Sequence, residues 1–196
     1  MPFAVLLWDF GDTLVDERWM RRAPAGVPGW EDAWNATMAD LADAWNVGAT
    51  SSDAVYAALA ERTGMAVDEV AAHAEHCCRH ITFHEEAWRV AGERRRPQAI
   101  VTVNPELFSD LVVPACDLAA VFDHVVASNQ EGTDDKVALC ERALARLGFR
   151  GDRLEVLLID NRPDLVDAWR DAGGSGYWFQ GDDRFAQDVG GLLGGR

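Results

Sequence analysis

The chain has 196 residues, 48% of them apolar and 26% charged, with a formal net charge of −15. That length fits one domain of ordinary size, or a core with a small appended domain, and the acidic balance argues against nucleic acid or an anionic membrane as a partner, since both are held by Lys and Arg. No stretch approaches the ~18 apolar residues of a membrane span, no basic segment precedes an apolar run as in a secretory signal, and Cys77, Cys78, Cys116 and Cys140 form no CxxC pair, so a cytoplasmic protein with reduced thiols is expected.

Residues 3–8, FAVLLW, are an apolar run without helical spacing, which predicts a short strand buried on both faces. Asp9 ends it. A carboxylate is tolerated there only where the chain leaves the core, so Asp9 is expected at the carboxyl end of a central strand, the edge where open α/β sheets bind ligands. Such a group can coordinate a hard cation or act as a nucleophile. Phe10, Gly11, Asp12 and Thr13 follow as a tight turn.

Residues 16–96 read almost entirely as helix. Trp34, Met38, Leu41 and Trp45 form one apolar stripe; Ser51 or Ser52 caps a second helix carrying Val55 and Leu59, closed by Gly64. A third helix is expected over about 68–81 and a fourth over about 85–95. The block has the character of an all-helical lid inserted into the rest of the chain. Near its start, Arg18, Arg21 or Arg22 could meet an anionic substrate, and Trp19, Trp30, Trp34 and Trp45 crowd together, with Trp34 and Trp45 better read as lid core than as a stacking surface. His73, Cys77, His80 and His84 would share a zinc-binding face if one helix ran through them. A break near Thr82 is expected, so an ordinary helix surface is the preferred reading.

From residue 98 strand and helix alternate. Residues 99–103 form an apolar strand that carries Thr102 and ends in polar Asn104, with Pro105 placed to open a helix. Residues 122–127 give a third strand, Val137, Cys140, Leu144 and Leu147 a helix stripe stopped by Gly148, and residues 154–159 a fourth strand ending at Asp160. Pro163 opens a helix closed by Gly173 and Gly174, residues 176–179 make a fifth strand, and a last helix runs through Phe185, Val189 and Leu192. The expected fold is α/β: a doubly wound, parallel, five-stranded sheet from residues 1–15 and 97–196, with the helical cap at 16–96. Parallel strands would bring Asp9, Thr102 and Asp160 to one edge. Lys136 opens a helix near that edge and is the only lysine among 18 basic residues, which singles out a place where a compact ammonium is wanted.

The order of DFGDTL at 9–14, the strand ending in Thr102, Lys136 in EGTDDK and IDNRPD with Asp160 and Asp164 resembles the four motifs of the haloacid dehalogenase (HAD) superfamily, in the branch with a helical cap after the first motif. The resemblance implies a Mg2+-dependent hydrolase of a small phosphorylated metabolite. In it Asp9 attacks phosphorus and forms an aspartyl-phosphate; Asp9, the Gly11 carbonyl and Asp160 hold the metal; and Thr102, Lys136 and, after them, Asn104 face the phosphoryl oxygens, with Arg18 a further substrate contact.

Departures from the family pattern carry their own implications. The usual DxDGT has an acid two residues after the nucleophile, where this chain has Gly11. Asp12 comes one position late and is the candidate replacement; it tolerates the left-handed backbone of a tight turn, but its side chain should then point elsewhere, which leaves its role as the acid open. Loss of a positioned acid costs about 10²- to 10⁴-fold in rate, so the resemblance implies a slow phosphatase, or one restricted to good leaving groups. Asn161 stands where a second Asp is common, leaving Asp164 as a candidate metal ligand. The aromatic residue of dehalogenases at position 11 and the cap lysine of carbon–phosphorus hydrolases are both missing. The alternative from another class is a catalytically impaired protein that binds a phosphorylated ligand or a protein partner.

Overall fold

The computed structural model describes residues 3–194, apart from the side chains of Trp19 and Met20; the stacking role considered for Trp19 lies outside the described residues. Strands β1 (Val5–Trp8), β2 (Gln98–Thr102), β3 (His124–Ala127), β4 (Val156–Asp160) and β5 (Ser175–Trp178) form one parallel sheet in the order β3-β2-β1-β4-β5. β1 lies at its centre. Every residue of β1, β2 and β4 is buried, as their unbroken apolar sequences require for strands covered on both faces. Val5 and Leu7 join the layer of Ala99, Val101, Leu139 and Trp169, whereas Leu6 and Trp8 join Ile100, Phe122 and Phe185 on the other face, the period-two alternation of a strand.

Between β1 and β2 lie α1 (Trp30–Asn46), α2 (Ser52–Thr63), α3 (Val67–Arg79) and α4 (Glu85–Gly92), of which α1, α2 and α3 pack on one another. Short turns α5 (Val113–Ala115), α6 (Leu118–Val121) and α7 (Ser128–Glu131) precede the longer α8 (Lys136–Arg146), α9 (Pro163–Asp171) and α10 (Asp182–Leu192). Ser51 caps α2 through the Ala54 amide, and Gly64 closes it in the left-handed conformation at φ 73°.

The chain leaves the core at Asp16, whose amide donates to Thr82 O at 2.9 Å, and returns where the His84 amide donates to Leu14 O at 2.9 Å. Helix α4, which the sequence groups with the cap, packs against α10 instead. Asp182 at the start of α10 caps it, accepting from the Glu86 and Ala87 amides at 2.7 and 3.0 Å. After β2 the helix that Pro105 was expected to open begins one residue later and widens into a π-helical turn over Phe108–Val112. Pro114 explains the widening: it has no N–H to offer Asp110, and its ring displaces that carbonyl.

The end of α1 is tied to the core at Ser128, whose buried hydroxyl donates to Asn46 O at 2.5 Å and accepts from the Asn104 amide at 2.9 Å. Truncation leaves a buried amide and a carbonyl short of a partner. Ser128→Ala is therefore expected to lower unfolding stability in urea by about 1–3 kcal/mol.

Candidate active site

With all strands parallel, their carboxyl ends share one edge. There β1 delivers Asp9, β2 delivers Thr102 with Asn104 after it, and β4 delivers Asp160. Lys136 enters from the side as the first residue of α8, whose start is fixed by Asp135 accepting from the Ala138 amide at 3.1 Å. Its Nζ lies 2.7 Å from Asp9 Oδ1 and 2.8 Å from Asp160 Oδ2, and donates to Val101 O at 2.6 Å. Asp9, Thr102, Asn104, Lys136 and Asp160 are all buried.

Burial works against the Lys136 ammonium, but Asp9 and Asp160 outweigh it and hold the lysine protonated well above its usual range. For Asp9 burial is the largest influence and raises its carboxyl; Lys136 pulls it back, Asp160 pushes it up again, and the result is about 6. Two carboxylates thus share one ammonium. When both ionise, one negative charge is left uncompensated in a buried place, which is costly unless a cation joins it.

Two features fit a divalent ion here. Asp160 Oδ1 accepts from the Arg162 amide at 2.8 Å, while its buried Oδ2, though close to Lys136, has no well-directed hydrogen bond. Gly11 lines the same cavity, of about 160 Å³, as Asp9, Asp160, Thr102 and Asn104. Among the described residues no three His, Cys, Asp or Glu side chains converge as a metal cage. Two carboxylates with a backbone carbonyl and water make a Mg2+-type donor set, since that ion keeps part of its hydration, and are unlike a closed zinc site.

Further hydrogen bonds hold the edge in shape. Thr102 Oγ1 accepts from Asn104 Nδ2 at 2.7 Å, so Asn104 orients that hydroxyl. Buried Thr13 accepts from the Asn161 amide at 3.0 Å and ties the loop after β1 to the loop after β4.

Three expected site residues are not brought to this cavity. Asp12 is exposed at φ 50°, its carboxylate turned back to accept from the Glu17 amide at 3.0 Å. The Arg18 side chain is 77% exposed and pairs with Asp16 at 2.5 Å. Asp164 sits one residue into α9, 62% exposed and paired with Arg162 at 2.6 Å, so the helix start points it to solvent. The zinc face does not form either. α3 ends at Arg79, His80 turns back to its own helix at His76 O, and His84 lies beyond the break, against Phe179.

Among the lining residues that the motifs do not mark are two polar ones from the segment between β1 and β2: Asn46 from the end of α1, and Glu17. A Cβ at Gly11 would lie 2.6 Å from both Cδ and Oε1 of Glu17. The Glu17 carboxyl therefore fills the room that the missing side chain leaves. Partial enclosure, followed by the Asp9 and Asp12 carboxylates, pushes its pKa upward. Water reaches much of the residue and moderates that rise. The available signal was the vacancy at position 11 together with a carboxylate one short loop downstream.

No family model and no curated protein matches the sequence. Solved structures do. A HAD family enzyme from Bacteroides thetaiotaomicron superposes with a TM-score of 0.73 at 12% identity, over 96% of this chain and 99% of that one; it has also been solved with magnesium and inorganic phosphate. A predicted HAD-like family hydrolase from Porphyromonas gingivalis gives 0.71 at 17% identity over the whole of both chains. An L-2-haloacid dehalogenase from Xanthobacter autotrophicus, with chloropropionic acid covalently bound, gives 0.66 at 18% identity over 97% of this chain and 84% of that one. The five-stranded parallel sheet with its flanking helices is thus the fold of HAD-family enzymes. No helix among the described residues is long and apolar enough to cross a membrane.

Proposed function

We propose that this chain is a HAD-type hydrolase that removes phosphate from a small phosphomonoester through an aspartyl-phosphate on Asp9. The observation that carries this reading is the buried grouping of Asp9, Lys136 and Asp160 beneath a cavity that also contains Thr102. Asp9, the Gly11 carbonyl and Asp160 would hold Mg2+, which supplies positive charge between an anionic nucleophile and an anionic substrate. The bacterial relative solved with magnesium and inorganic phosphate supports that assignment.

Lys136 holds the carboxylate of Asp9 in place, and its ammonium with the Thr102 hydroxyl would meet the phosphoryl oxygens. As Asp9 oxygen bonds to phosphorus, the bond from phosphorus to the leaving oxygen breaks, and that oxygen must gain a proton unless it is already a stable anion. Glu17, standing over Gly11, takes the place where such a donor is needed. Water then cleaves the acyl phosphate, returning Asp9 and releasing inorganic phosphate. Asn46 borders the cavity from the end of α1, and closure of the cap over bound substrate would limit the water that reaches it.

The test is to trap the intermediate. Protein incubated with Mg2+ and labelled acetyl phosphate, then quenched in acid, is expected to carry label on the peptide containing Asp9, and none after chelation. An unlabelled peptide, with chloride released from 2-chloropropionate instead, would transfer the chain to the dehalogenase reaction. Ligand binding with neither product would favour the impaired, binding-only alternative.

A further inference from the structure

We infer that the substrate carries a compact apolar body, an aryl ring or its equivalent in size, which sits in a second cavity between the cap and the core. The inference rests on the phosphoryl-transfer reading above. This cavity has a volume of about 250 Å³, and Glu17, Asn46, Val103 and Asn104 line it and the cavity over Asp9 alike. A molecule with its phosphoryl group at Asp9 therefore extends past this shared neck.

Beyond the neck, the wall is one face of α1. Trp34, Met38 and Ala42 follow one another at four-residue steps, and Trp45 completes the surface. The two indoles are held from behind. Both are buried, and Trp45 Nε1 is already committed to Ser52 Oγ at 3.1 Å, so this ring brings apolar lining and no free donor. Glu17, Asn46 and Asn104 stand at the neck, and Arg21 is the one polar side chain that lines this cavity alone.

That distribution selects against polyols. A sugar body would lay most of its hydroxyls along indole and thioether surface, where they lose water and find Arg21 alone as a partner beyond the neck. A flat apolar body gains contact with the rings and loses nothing polar. The small Ala42 leaves the wall open in its middle, so a larger side chain there should close the cavity without reaching the chemistry at Asp9.

Four compounds and two variants test this. Acetyl phosphate reports phosphoryl chemistry alone, since its leaving group is too short for the second cavity; 1-naphthyl phosphate and glucose 6-phosphate report the body. Wild type is expected to show a KM for 1-naphthyl phosphate at least about tenfold below that for glucose 6-phosphate. Ala42→Phe should raise the naphthyl KM by about tenfold or more relative to that for acetyl phosphate, whereas Ala39→Phe, on the solvent side of the same helix, should leave the ratio as it is. Quenching of tryptophan fluorescence by 1-naphthylphosphonate gives a readout independent of turnover and should weaken in Ala42→Phe.

A lower KM for the sugar phosphate, or naphthylphosphonate bound equally by wild type and folded Ala42→Phe, would overturn the inference. No turnover of acetyl phosphate by wild type would overturn the phosphoryl-transfer reading instead. The phosphonate titration would then still decide what the cavity holds.

Discussion

Replacing Asp9 by Asn is expected to lower turnover by about 10⁴-fold or more and, in the presence of a chelator, to make the folded chain more stable than wild type. The loss of activity follows from removing the attacking oxygen. The gain in stability follows from the charge arrangement, because Asn keeps an acceptor for Lys136 and leaves it paired with Asp160 alone. The sign can be worked out. Asp9 titrates near 6 in the fold and close to 4 in an unfolded chain, so between those values the folded state holds the extra proton and stability falls as pH rises. Below about pH 4 this cost is absent, and above about 6 it is complete. The variant cannot ionise, so the stability gap should open across that window and level off above it. Mg2+ should raise the melting temperature of wild type at pH 7.5 more than that of Asp9→Asn. If the variant proves less stable than wild type at pH 7.5 without metal, the pair with Lys136 is net favourable and the site is not waiting for a cation.

The sheet was legible because burial on both faces leaves a plain trace, runs such as VLLW and VLLID that break off at an acid. Parallel order implies that Asp9, Thr102 and Asp160 share an edge, a lone lysine in an arginine-rich chain points to Lys136, and the structure puts both carboxylates within 2.8 Å of the Lys136 ammonium. What sequence could not give was the direction of side chains on irregular backbone. For Asp12, the late position and the left-handed turn already imply a carboxylate turned elsewhere; its acceptor role toward the Glu17 amide is what no pattern gives. Asp164 has suitable spacing from Asp160, yet a place in the first turn of α9 points it to solvent and to Arg162. Helix α4 has the pattern of a cap helix and packs on the core because Asp182, far along the chain, caps it. Each miss turns on a contact between residues whose relation is set by loop geometry and has no period to read.

Glu17→Gln is expected to lower kcat for alkyl phosphates by about 10²- to 10³-fold, with a much smaller loss for acetyl phosphate, whose leaving group needs no proton. Only a proton donor produces that difference; a residue that merely shaped the cavity would slow both alike. The raised pKa of Glu17 keeps part of it protonated nearer neutrality, so the wild-type rate on alkyl phosphates should decline as pH rises through its titration, and the residual rate of the Gln variant should lack that decline. Position 11 supplies the complementary experiment. A side chain there meets the Glu17 carboxyl at 2.6 Å, so Gly11→Asp alone should displace Glu17 and impair the enzyme. Combined with Glu17→Ala, the same aspartate occupies cleared space beside Asp9 and should recover activity on alkyl phosphates above either single variant. Strong coupling of that sign in the double-mutant cycle would mean that the acid has moved from position 11 to position 17, with Asp12 holding its backbone. Simple additivity of the two losses would mean that Glu17 occupies the room over Gly11 without taking part in the chemistry.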